Sequence, residues 1–215
     1  MNKFISIVIL FTFTVSLQAI ETINSVINSD GDLDNKYIQK FIDQTKPYIK
    51  EYPPRFKSKE HQEITISTTK NIIKEFKSTD LSTLNDANLL TNIALIYSMA
   101  HNLDLGTARN AKITFEKALS IDENNKKTNY LYGMFLISTS KYHFESEKYL
   151  QKALELGERD SLFSLALLQL QKGNKEKGLN MLEEYSKDNP NNNHVKKVIE
   201  AVKNGEIKFE KSKTS

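Results

Sequence analysis

Three aspartates alternate with other residues in the stretch SDGDLDN, a spacing that could begin a calcium-binding loop. They are Asp30, Asp32 and Asp34. A loop of the EF-hand type also needs glycine at its sixth position and glutamate at its twelfth, where this chain has Asn35 and Phe41. We therefore expect no calcium site. The stretch is predicted to be the acidic start of a helix, with Asp34 or Asp32 as the N-cap.

The other polar residues form no recognisable catalytic or metal-binding motif. No two of the four histidines are spaced to share a metal on one helix; they are His61, His101, His143 and His194. There is no nucleophile elbow, phosphate loop or paired metal-ligand motif, and the lack of cysteine excludes thiol chemistry. We predict no catalytic residue, metal or cofactor, and expect a protein that is not an enzyme. The alternative is a small enzyme acting on the cell wall, or its accessory subunit, with helical repeats as a docking module.

The first 19 residues have the pattern of an export signal. Lys3 precedes a mostly apolar run of 14 residues, Phe4 to Leu17, and Leu17-Gln18-Ala19 is an acceptable cleavage site. The run is shorter than the roughly 20 apolar residues that span a bilayer. We predict a cleaved signal peptide over residues 1–19 and a periplasmic or secreted protein. The alternative is an uncleaved segment that anchors the chain in the inner membrane.

The charge of the chain is nearly balanced. Its formal net charge of +3 at pH 7 is too small to predict binding to nucleic acid. The C-terminal tail is more basic, with four lysines against two glutamates: Lys203, Lys208, Lys211, Lys213, Glu206 and Glu210. Contact with a membrane is therefore predicted only through an uncleaved signal segment or through this tail.

Apolar residues recur at helical spacing along most of the chain, and the seven glycines and four prolines are few for a β protein. After a flexible linker over residues 20–33, we predict an N-terminal pair of helices within residues 34–85. Pro47 should kink or end the first helix. Ser58 should cap the second.

The second half of the chain repeats a pattern of small and large residues. Ala111, Phe115 and Ala118 are matched 35 residues later, and again 32 residues further on; the later triplets are Ser146, Leu150, Ala153 and Gly178, Leu182, Tyr185. A small residue precedes each triplet on an earlier helix, at Ala94, Gly133 and Ala166. Two helices cross closely only where neither carries a bulky side chain. The pattern therefore predicts three packed helix pairs.

This pattern resembles the tetratricopeptide repeat and the similar Sel1-like repeat, over about residues 86–190. The units of the Sel1-like family are joined by the motif AAxxGxxxAxxxLG; its positions hold Ala153-Leu154, Gly157, Ser161 and Leu165-Ala166. The resemblance implies an all-α protein, a right-handed α-solenoid of stacked antiparallel helix pairs with an N-terminal helical extension. A C-terminal helix and the basic tail would follow over residues 191–215.

Proteins of this repeat family bind a peptide or another protein in a concave groove lined by the first helix of each unit. Carried over by position, the resemblance implies a partner-binding groove formed by Asn88, Thr91, Leu95, Lys127, Tyr130, Met134, Phe163 and Leu167. We predict an exported, non-catalytic scaffold that binds a protein or peptide in the bacterial cell envelope. The groove could instead be covered by the protein's own N-terminal helices or by a second copy.

Overall fold

The computed structural model describes residues 25–139 and 145–206, and helices make up 72% of them. These residues contain no β-strand, and an isolated bridge joins Ile27 to Leu33. The α-helices within the described ranges are α1 (Asn35–Ile49), α2 (Lys59–Ser78), α3 (Ala87–His101), α4 (Ala108–Ile121), α5 (Lys126–Ser138), α6 (Ser146–Glu155), α7 (Asp160–Gln171), α8 (Lys175–Asp188) and α9 (Asn193–Lys203). The prediction of an all-helical protein is confirmed.

Two predictions fall outside these ranges in whole or in part. The predicted signal peptide, residues 1–19, lies entirely outside them, as do His143 and the tail lysines beyond Lys203. Among the helices that are described, none combines the length and the apolar character needed to cross a membrane.

Polar side chains begin the first three helices as N-caps. Asp34 accepts a hydrogen bond from the Lys36 amide at 2.7 Å, and Ser58 accepts one from the His61 amide at 3.1 Å. Asp86 accepts two at the start of α3. These bonds satisfy amide groups that have no partner within the helix. Asp34, rather than Asp32, is therefore the N-cap of α1.

Three pairs of consecutive helices, α3 with α4, α5 with α6 and α7 with α8, pack closely along the second half of the chain. Contacts within the last pair show how α7 runs relative to α8. Asp160 at the start of α7 accepts a hydrogen bond of 2.8 Å from the hydroxyl of Tyr185 near the end of α8. Leu170 at the end of α7 meets Gly178 near the start of α8. The two helices are therefore antiparallel.

The small residues of the repeated pattern lie where these helices cross. A Cβ atom on Gly133 of α5 would lie 2.7 Å from Leu150 Cγ on α6. At Gly178 of α8 it would lie 2.5 Å from Leu170 Cγ on α7. The large residues Phe115, Leu150 and Leu182 are fully buried. The predicted close crossing at Gly133 is therefore confirmed, because both distances are shorter than carbon atoms normally approach.

The N-terminal helices pack on α3 and share its hydrophobic core. The side-chain amide of Asn102 donates to the Ile49 carbonyl at 3.0 Å, which fixes the end of α1. Pro47 does not stop α1 at once, since the helix ends two residues later at Ile49. Within the predicted linker, Val26 is fully buried and its N–H donates to a Glu75 carboxylate oxygen at 2.8 Å.

At the other end of the chain, α9 packs on α8. Its apolar face includes Val195 and Val202, which are buried in clusters with Leu162 and Leu182. This helix therefore covers apolar surface that the last pair would otherwise expose.

Candidate functional site

One of the three predicted groove residues on α3 is closed to a partner. Thr91 is fully buried, and its hydroxyl oxygen lies 2.6 Å from both the Ala87 carbonyl oxygen and the Thr128 hydroxyl oxygen. Leu95 is half-buried and packs against the hydrophobic core. Asn88 remains exposed, and its Oδ1 accepts a hydrogen bond of 3.0 Å from the side-chain amide of Asn125. Thr91 and Asn88 thus hold α3 against α5.

Helix α1 covers this part of the predicted groove. The side-chain amide of Asn92 on α3 donates to Asn35 Oδ1 at 2.9 Å and lies 3.4 Å from Gln39 Oε1. Met99, two turns further along α3, is 2% exposed. Helix α1 therefore packs on the side of α3 that carries Asn92, next to the predicted groove positions.

The remaining predicted groove residues lie on α5 and α7, beyond the cover of α1. Met134 is 37% exposed, and its sulfur lies 3.0 Å from Ser164 Oγ, which joins α5 to α7. Tyr130 and Leu167 are half-buried. Phe163 is also half-buried, because its ring lies 5.6 Å from that of Tyr185 and 6.0 Å from that of His194. We call Tyr130, Met134, Phe163 and Leu167 the α5–α7 face.

A single lysine lies at the α1 edge of this face. Lys127 Nζ donates to Asn92 Oδ1 at 2.9 Å. Partial desolvation of this ammonium group lowers its pKa, and Lys46 of α1 lowers it further, while Asp43 opposes the shift. The pKa of the neighbouring Tyr130 is raised by burial and by the negative charges of Asp160 and Glu158. The α5–α7 face is therefore apolar, with one cation at its α1 edge.

The densest group of ionisable side chains lies elsewhere, around Lys112 of α4. Its Nζ lies 2.5 Å from Glu116 Oε1, 3.2 Å from Tyr132 Oη and 3.7 Å from Glu145 Oε2. Burial acts to lower the pKa of Lys112, but the hydrogen bonds to Glu116 and Tyr132 outweigh it and raise the pKa. The lysine therefore stays charged and pairs with both carboxylates, which suits a structural contact better than proton transfer.

The described histidines are dispersed. His61 is 9% exposed and packs edge-on against Tyr48, with ring centroids 4.5 Å apart. His194 lies by Phe163 instead. In the part of the chain that the structure describes, no three histidine or carboxylate side chains come together as a metal site.

The sequence predicts a cover by the N-terminal helices as an alternative, without assigning it to α1, although it contains a further signal for it. Helix α3 is apolar on almost every side, and eleven of its fifteen residues are buried. A helix of this kind is packed on all sides rather than facing solvent.

Comparisons with known proteins give no match: no family model, no curated protein and no solved structure matches the chain.

Proposed function

We propose that this protein is an exported, non-catalytic scaffold that binds a protein or peptide partner in the bacterial cell envelope. In this proposal its helix pairs stack as a right-handed solenoid of the tetratricopeptide or Sel1-like kind. The support for that arrangement is the repeated close crossing of antiparallel helices at small residues such as Gly133 and Gly178.

The observation that carries the proposal is the exposure of apolar side chains on the α5–α7 face. Met134 is 37% exposed, and it is among the few large apolar residues in the described chain that are so exposed. The half-buried Tyr130 and Leu167 belong to the same face. Large aromatic side chains in such settings carry much of the energy of protein interfaces, and methionine adapts its shape to apolar ligands.

The extent of this face limits the partner. Because α1 lies over α3, the binding surface consists of α5 and α7 only, and the bound segment should be short. The charged groups near the face are Lys127 at one edge and Asp160 and Glu158 near Tyr130. Their opposite charges partly offset, so the affinity of the face should depend weakly on salt.

The test is affinity capture from an envelope extract with the mature chain and two matched variants. Met134→Asp places a charge on the α5–α7 face. Ile113→Asp places the same charge on α4, where Ile113 is 53% exposed. We expect the wild type and Ile113→Asp to retain a common partner and Met134→Asp to lose it, with unchanged circular dichroism in all three. Equal capture by both variants would exclude this face.

A second measurement tests the location of the protein. Fractionation of the native host should place the chain in the periplasm or the medium, with mass spectrometry showing an N-terminus at Ile20. An intact Met1 in the membrane fraction would favour the anchored alternative.

A further inference from the structure

A second surface feature lies between α4 and α6, away from the α5–α7 face. It is a cleft of about 660 Å³, which we call the α4–α6 cleft. It is lined by Glu116, Leu119 and Ser120 of α4, by Glu123 in the turn after α4, by Asn129 of α5, and by Lys148, Tyr149, Gln151, Lys152 and Glu155 of α6. Its size is within the range of clefts that hold small ligands or short peptides.

The cleft and the α5–α7 face use different sides of α5. Asn129 lines the cleft, whereas Met134 belongs to the α5–α7 face. Five residues of an α-helix correspond to a rotation of about 140° from one side chain to the other. A ligand in the cleft therefore has a separate site from the partner proposed above.

The two long walls of the cleft carry opposite charges. The α4 wall presents Glu116 and, in the turn after the helix, Glu123, and the α6 wall presents Lys148 and Lys152, one helical turn apart, followed by Glu155. Within the described chain Glu116 already pairs with Lys112 at 2.5 Å, whereas the two lysines of the α6 wall form no ion pair. Lys148 instead places its ammonium 5.3 Å from the centre of the Tyr149 ring. Acidic and basic groups therefore face one another without a direct ion pair across the cleft.

The charge pattern restricts what can bind. A polyanion would be attracted by the lysine wall but repelled by the glutamates. A polycation would be attracted by the glutamates but repelled by the lysines. A ligand that pairs with both walls must therefore carry both charges, separated across its width. An extended peptide meets this requirement, because its successive side chains point to opposite sides.

We propose that the α4–α6 cleft binds an extended peptide segment in which basic and acidic side chains alternate. Its basic side chains face Glu116 and Glu123, and its acidic side chains face Lys148 and Lys152. The half-buried Leu119 and Tyr149 contact the aliphatic parts of the long charged side chains. Glu155 lies at the end of the lysine wall and limits how far the acidic side chains extend along it.

The experiment titrates the isotope-labelled full chain with two peptides of the same composition, followed by amide resonances. The first probe is acetyl-Lys-Glu-Lys-Glu-Lys-Glu-amide, and the second is acetyl-Lys-Lys-Lys-Glu-Glu-Glu-amide. We expect the alternating peptide to bind about tenfold more tightly, since only it can pair several charges with both walls at once. Its shifts should centre on Leu119 and Tyr149, and its affinity should fall as salt is raised.

A charge reversal on the lysine wall provides the matched variant. Lys148→Glu with Lys152→Glu should abolish the preference for the alternating peptide. Lys196→Glu with Lys197→Glu on α9 makes the same change in net charge on exposed lysines outside the cleft and should preserve the preference. Equal affinity for the two peptides, no binding of either, or equal loss in both variants would overturn the proposal.

The same titration separates this site from the proposed function. Met134→Asp should leave binding of the alternating peptide unchanged, and the lysine-wall variant should leave capture of the envelope partner unchanged. Shifts centred on Tyr130 and Met134 would assign the peptide to the α5–α7 face and exclude the cleft.

Discussion

Replacing Gly133 with alanine should destabilise the protein even though alanine is the better helix former. The added Cβ would lie 2.7 Å from Leu150 Cγ, 2.9 Å from Leu150 Cδ2 and 3.2 Å from the Leu150 backbone nitrogen. Carbon atoms in contact are normally about 3.5–4.0 Å apart. Leu150 is fully buried beside Leu165 and Leu168, so it has no free space to move into.

The two opposing contributions can be compared. Overpacking of a buried contact typically costs about 1–3 kcal/mol, and the exchange of glycine for alanine within a helix returns about 0.8–1.0 kcal/mol. We therefore expect Gly133→Ala to lower the free energy of unfolding by up to about 2 kcal/mol. For a chain of this size, the melting temperature should fall by up to roughly 8 °C. Gly133→Leu should cost more, since its side chain must separate α5 from α6.

A double-mutant cycle isolates the cause. Leu150→Ala alone should cost about 2–5 kcal/mol because it leaves a cavity. In that background the two short contacts with the Leu150 side chain are gone and the 3.2 Å approach to its backbone nitrogen remains. The helix preference of up to about 1 kcal/mol should then offset most or all of the smaller penalty. The assay is urea unfolding of the four proteins, followed by circular dichroism. Gly133 would not be at a tight crossing if Gly133→Ala were neutral or stabilising in the wild type. The same conclusion would follow if Gly133→Ala were equally destabilising with Leu150 and with Leu150→Ala.

Three further predictions concern other contacts. Burial, followed by the positive charge of Lys57, lowers the pKa of His61 below its usual 6.5. On acidification His61 therefore takes up a proton in the unfolded chain before it does so in the folded one. The free energy of unfolding should fall as the pH drops from about 6.5 through the folded pKa. His61→Phe should flatten this pH dependence, measured as urea midpoints at several pH values. Thr128→Val should cost about 1 kcal/mol, because it removes a buried partner of Thr91, and adding Thr91→Val should recover part of that loss in the same assay. Asp86→Ala should cost about 1 kcal/mol of unfolding free energy by uncapping α3, while Asp86→Asn should match the wild type.

Local features of the fold could be predicted from the sequence. An N-cap depends on a few neighbouring residues, which is why Ser58 and Asp34 were identifiable. The crossing at Gly133 was identifiable because a small residue stands at the matching position of the other two pairs, at Ala94 and Ala166. In these cases the interacting groups are near in sequence or repeat along it.

The composition of the predicted groove depends on contacts between distant residues, and it was harder to predict. Thr91 occupies a groove position by its place in the repeat, but its hydroxyl bonds to Thr128, 37 residues away. The position of α1 rests on contacts such as Asn92 with Asn35, 57 residues apart. The period of a helix shows which side is apolar, but it does not show which segment will cover that side.

The position of α1 also affects the order in which the protein can fold during synthesis. Its end is fixed by a hydrogen bond between Ile49 and Asn102, which are 53 residues apart. At about 5–20 residues per second, roughly 3–10 s pass before that partner has been made. During this interval the apolar side of α1, with Ile38, Phe41 and Ile42, has no α3 to pack against. Helix α1, the first of the described helices in the chain, thus waits for a distant partner, and binding by a chaperone is most useful to the chain in these seconds.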